Sequence, residues 1–170
     1  MTTQTTLQQG LDQAFANWIK ATQQFGSEQY NLAPSEGSWT PGQIVQHLTL
    51  ANGGFADMLY GETKQTERPA DQHIGLLKDI MLNFDSKMEA PDFVRPEIKN
   101  YEKEPHLANI KAINEALTKA IANLDLDATC LGFELPGIGY VTRLEALHFV
   151  MLHTIRHTNQ LNRAYRQLAN

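Results

Sequence analysis

The sequence predicts an all-α protein, a four-helix bundle, and three observations carry that expectation. Apolar side chains recur at intervals of three or four residues through most of the chain, the period of a helix with one buried face. Two helix starts are marked by a hydroxyl residue followed three positions later by Gln or Glu, the capping box. The stretch "LEALHFVMLH" near the C-terminus is apolar on nearly every side, the pattern of a helix surrounded by others.

Each element has its own warrant. Leu7, Leu11, Phe15 and Trp18 predict a first helix over about residues 4–25. The run "FGSEQYNLAPSEGS" breaks it. The second helix begins at Thr40, with Pro41 at the first helical position and Gln43 completing the capping box. Trp39, just before the cap, is placed to pack on Ile44 as a hydrophobic staple. Ile44, Leu48, Ala51, Phe55, Met58 and Leu59 carry this helix to about residue 60.

Residues 61–73 are polar. "HIGLLKDIMLNF" reads as a short extra helix, and "EAPDFVRP" as an extended, proline-bounded connection. A third long helix is expected over about 98–124, on the stripe Leu107, Ile110, Ile113, Leu117, Ile121 and Leu124. "DLDATCLGFELPGIGYV" reads as an ordered loop with a strand-like piece. Thr142 and Glu145 then cap a last helix running to about residue 168. The connection between the second and third long helices is roughly 35 residues, where bundle loops usually take 2–8. It is long enough to carry the chain from one end of a bundle to the other and to let those two helices run parallel.

A chain of 170 residues fits a single domain, residues 1–170, with 42% hydrophobic and 19% charged residues. A formal net charge of −5 leaves no basic surplus to neutralise phosphates, so nucleic acid is not an expected partner. "MTTQTTLQQGLDQAF" has neither the basic nor the apolar region of a secretory signal, and no apolar run approaches a membrane span. Cys130 is the only cysteine, which excludes an intrachain disulfide and a thiolate-rich metal site. A cytoplasmic location is the expectation. Cys130 itself reads as a small buried or loop residue.

Six histidines carry the functional question. His153 and His157 are four apart in the last helix, about 40° apart around its axis, and project from one face. They read either as a polar flank or as two ligands for one divalent ion. His47 lies in an otherwise apolar row of the second helix, either as a core-edge histidine or as a third imidazole completing a His₃ set. Such a set leaves coordination positions open for water or substrate. His148 is about 180° around the helix from His157 and cannot join the pair. With Glu145 it spells one E-x-x-H, where a di-iron bundle needs two such motifs and further carboxylates. His73 and His106 are expected to be solvated. "HTIRH" lacks the glutamate of the zinc-protease motif, and no nucleophile elbow, Walker loop or dinucleotide fingerprint is present.

With "APSEGSWTPGQIVQHL", where His47 follows Trp39 by eight residues, and "HTIRHTNQ" in hand, the chain resembles the DinB/YfiT-like superfamily of small helical metalloproteins. "FDSKMEAPDFVRP" is similar to members of the same group, and the likeness covers nearly the whole chain. The resemblance implies a four-helix bundle in up-down-down-up order. It implies one divalent transition metal ion, zinc or nickel, held by His47, His153 and His157, and a homodimer. "HTNQ" departs from the basic residue or glycine that many relatives carry before the glutamine, which leaves Gln160 without an assigned role.

The resulting expectation is a divalent-metal-dependent enzyme acting on a small molecule, by hydrolysis or by transfer to a low-molecular-weight thiol, as in characterised relatives. No side chain is assigned as catalytic. The rival is a bundle that binds metal or ligand without turnover, or an interaction module.

Overall fold

The computed structural model describes residues 3–170. Along the chain come α1 (Thr3–Gln23), the one-turn α2 (Ser27–Tyr30), α3 (Pro41–Leu59), β1 (Thr63–Lys64) and α4 (Ile74–Met81). A 3₁₀ turn (Asp92–Val94), α5 (Lys103–Asn123), β2 (Thr129–Leu135), β3 (Gly139–Thr142) and α6 (Arg143–Leu168) follow. The long helices α1, α3, α5 and α6 form the bundle: α1 packs on α5 and α6, and α3 packs on the same two. Trp18 and Phe15 from α1, Ile44 and Leu48 from α3, Ile110 and Leu117 from α5, and Leu147 from α6 are all buried between them. α4 lies against α6.

The local signals for helix starts operate as written in the sequence. Thr40 Oγ1 accepts from the Gln43 amide at 3.1 Å, and the Gln43 side chain accepts from the Thr40 amide at 2.9 Å. Thr142 and Glu145 repeat the arrangement at 3.1 and 3.0 Å. Each box satisfies amides that the first helical turn cannot pair internally.

Departures occur where structure depends on distant partners. α2 falls inside the segment read as a break. α5 begins at Lys103 rather than near 98, and no side chain caps it. "EAPDFVRP" contains the 3₁₀ turn. The segment read as a loop with one strand-like piece is a hairpin, extended to a three-stranded antiparallel sheet by β1. At the hairpin tip Pro136 and Gly137 make a type II turn: the Ile138 amide donates to the Leu135 carbonyl at 3.0 Å, and Gly137 takes φ +78°.

Two ties fix α3 against α6. Asn52 Nδ2 donates to Thr154 Oγ1 at 2.9 Å, and Thr154 in turn donates to the Val150 carbonyl at 2.7 Å, all fully buried. At the other end Arg143 Nε donates to the Leu59 carbonyl at 2.7 Å, supplying a donor to the open C-terminus of α3. These contacts set the height at which residues of the two helices meet.

Candidate metal centre

Near that height, about a turn and a half before Asn52 on α3 and beside Thr154 on α6, His47, His153 and His157 meet. Among the described residues they form the one cluster of three or more potential ligands, with one ligand atom of each within 4.8 Å of the others. His157 Nε2 stands 2.9 Å from His153 Nε2, and His47 Nε2 stands 3.4 Å from it. Two nitrogens each about 2.05 Å from a common ion stand about 2.9 Å apart at a right angle and about 3.3 Å apart at the tetrahedral angle. The observed separations match.

Proton positions support the same fit. His47 Nδ1 donates to the Val94 carbonyl at 2.8 Å, and His157 Nδ1 donates to Gln160 Oε1 at 2.7 Å. Both rings therefore turn an Nε2 lone pair inward. His153 has a single ring proton to place. On Nε2 it serves only one of the two facing lone pairs. On Nδ1 it leaves three lone pairs converging, and this Nδ1 is buried without a hydrogen-bond partner among the described residues. A cation at the centre resolves the conflict, and three imidazoles are a donor set suited to a divalent transition metal.

The electrostatics agree. Burial holds His47 below the usual histidine range against the opposing pull of the Val94 bond. Burial, then the neighbouring imidazoles and Arg156, hold His153 well below it. Burial and then His47 bring His157 down to about 3. All three rings are neutral at neutral pH, the form a metal requires.

The surroundings are aromatic on one side and pinned on the other. Trp39, just before the α3 cap, packs on the His47 ring at 5.2 Å between centroids, and Phe149 stacks on His153 at 5.1 Å. Arg156, one residue before His157, donates to the carbonyls of Met81, Asn83 and Ser86 at 3.2, 2.7 and 2.5 Å. The cluster opens into a cleft of about 1430 Å³ bounded by α3, α6, the 84–94 segment and the β2–β3 hairpin.

The remaining sequence candidates fall elsewhere. His106 is not solvated: it is 4% exposed, accepts from the Tyr30 hydroxyl at 2.6 Å and donates to Gln46 Oε1 at 2.8 Å. Tyr30 lies 76 residues away in the chain, which is why its burial escapes a local reading. His73 is half-buried at the start of α4, where its amide donates to Glu145 at 2.9 Å. Glu145 does more than cap α6. Its fully buried carboxylate takes both Arg68 guanidinium nitrogens at 2.7 Å. Burial would raise its pKa, but Arg68 and the amides of Thr142 and His73 outweigh that and keep it low. His148 bonds the Leu144 carbonyl of its own helix, and Cys130 is fully buried. Gln160 has the role the sequence left unassigned, and its spacing of three from His157 was the available signal.

YfiT from Bacillus subtilis, described as a probable metal-dependent hydrolase with an unusual four-helix bundle topology, superposes with a TM-score of 0.63 at 17% identity, over 99% of this chain and 90% of that one. At that identity the likeness speaks to the fold. No curated protein matches the sequence. The family model of the DinB superfamily matches residues 10–161. Fold and family match agree, and the chain belongs to the DinB superfamily.

Proposed function

We propose that the protein is a divalent-metal-dependent enzyme that acts on a small molecule in the cleft, with the ion, zinc or nickel, held by Nε2 of His47, His153 and His157. The observation that carries this reading is the convergence of three neutral Nε2 atoms at 2.9 and 3.4 Å, with two of the rings anchored outward through Nδ1. A divalent ion so held acts as a Lewis acid, which makes water or a thiol more acidic. The chain's own residues do the positioning. Val94 and Gln160 fix the rings of His47 and His157, and the second-sphere bonds raise ligand basicity. Phe149 limits water at the face of His153. Hydrolysis is the first chemistry to assay; transfer to a low-molecular-weight thiol, which the family resemblance implies, is the second.

The same reading includes the up-down-down-up order. Supporting it, Gln46 meets His106 and Tyr60 meets Ala116, so pairs ascend together along α3 and α5. Pairs run in opposite senses for α3 and α6, where His47 meets His153 and Leu59 meets Arg143. They are likewise opposed for α1 and α5, where Gln8 meets Thr118 and Phe25 meets Lys103.

The deciding experiment is elemental analysis of purified protein beside a His153→Ala/His157→Ala double variant. Wild type is expected to carry close to one divalent ion per chain, and the variant almost none, with the helical circular dichroism unchanged. Wild type without metal overturns the reading. Metal without turnover of any ester, amide or thiol substrate across a broad panel favours a binding protein instead.

A further inference from the structure

The cleft does not end at the histidines. From His47, the same face of α3 continues through Leu50, Ala51 and Gly54 to Met58. Gly54 lies seven residues on, about 10 Å along the axis and almost in line with His47, and Met58 about 16 Å along. α6 supplies the opposing wall with Phe149, which stacks on His153 and meets Phe55 at 4.7 Å between centroids. Phe55 meets Phe133 of β2 at 6.2 Å, and Phe133 meets Phe93 at 5.6 Å. A connected series of rings thus runs from a metal-site imidazole to Phe93, which is 68% exposed at the rim. Charged side chains also border the cleft, among them Asp57, Lys87, Glu89 and Arg163; Arg156, next to His157 in sequence, spends its donors on backbone carbonyls.

Gly54 is the informative position. A glycine inside a helix costs roughly 1 kcal/mol relative to alanine, and nothing in the backbone requires it here, since its φ is not positive. Gly54 is exposed, a side chain on it would meet nothing within 4 Å, and it lines the open side of the cleft. The missing side chain leaves the channel open two helical turns from the histidines.

We propose that the substrate is amphiphilic: a polar head able to ligate the ion, joined to an uncharged ring-bearing or acyl body that lies along α3 over Gly54 and between Phe149, Phe55 and Phe133. The proposal rests on the metal reading above and adds the chemistry of the rest of the substrate. Small polar metabolites would leave this wall without a partner.

The test uses the protein carrying the ion with which it purifies, titrated calorimetrically with n-alkyl hydroxamates of increasing length, whose common head ligates metals. Affinity is expected to rise about fourfold per methylene while the chain is extending along the wall. Gly54→Phe, which blocks the channel, is expected to flatten that dependence without changing metal content; Phe133→Ala, which opens the roof, is expected to shallow it. Helical circular dichroism establishes that each variant is folded, and should Gly54→Phe not fold, Gly54→Leu takes its place. Affinity independent of chain length in a metal-bearing protein overturns the proposal and leaves the metal reading standing. A length dependence that survives both blocking and roof variants overturns it as well. Protein that carries no ion overturns both.

Discussion

His47 Nδ1 lies 2.8 Å from the carbonyl oxygen of Val94, a residue 47 positions later in the chain. Through this bond the 3₁₀ turn orients an imidazole of the candidate metal centre, and Gln160 does the same for His157 from within its own helix.

Gln160 is exposed, so its acceptor can be removed at little cost to the fold. Gln160→Leu is expected to weaken metal binding 10- to 100-fold, the usual effect of losing a partner to a ligating histidine. Competition against a chelator of known affinity measures this, and a denaturant midpoint close to wild type separates it from unfolding.

Thr154→Val tests the tie between α3 and α6. The isosteric change keeps packing volume but leaves Asn52 Nδ2 buried without its acceptor. A loss of about 1–3 kcal/mol is expected in urea unfolding, the cost of an orphaned buried polar group.

Acid should destabilise the fold through histidine. Burial holds His106 down to about 4 in the folded chain, against an ordinary value near 6.5. Between those values the unfolded chain binds the extra proton and the folded chain does not, so stability rises with pH across that window. The contribution is complete above about pH 6.5 and is lost as pH falls towards about 4. Urea midpoints measured over pH 7 to 4 should therefore fall, and His106→Gln should make the decline shallower.

Arg68 and Glu145 join the segment after β1 to the first turn of α6. Arg68→Ala leaves the carboxylate, fully buried, without its cation. A loss of about 3–5 kcal/mol is expected, as for breaking one partner out of a buried pair. Glu145→Gln retains an acceptor for the Thr142 amide and should cost less. Thermal or urea unfolding of the two variants side by side gives the ranking.

The parts of this architecture written locally could be read from the sequence, and the parts made between distant segments could not. The Thr40–Gln43 and Thr142–Glu145 boxes are complete within four residues, so helix starts were visible. His153 and His157 share a face by spacing alone. His47, 106 residues before His153, had two open readings by spacing and was a ligand only by the family resemblance, and the tertiary fold is what brings it to the pair. The two-residue β1 has no periodicity of its own and exists because Thr63 pairs with Cys130. His106 looked solvated at the start of a helix, and only Tyr30 and Gln46, brought in by other helices, bury it. Arg156 gave no sign of its role, because backbone carbonyls leave no mark in a sequence.

Those carbonyls have a mechanical consequence. Arg156 grips Ser86 from α6, and His47 grips Val94 from α3, so residues 87–93 span the cleft as a strap fastened at both ends by the two helices that carry the imidazoles. Met88 and Phe93 lie on that strap and are well exposed. A body entering the cleft passes between these fastenings or flexes the strap between them. Lifting either fastening means breaking a bond to a side chain of the candidate metal centre or to its immediate neighbour in sequence.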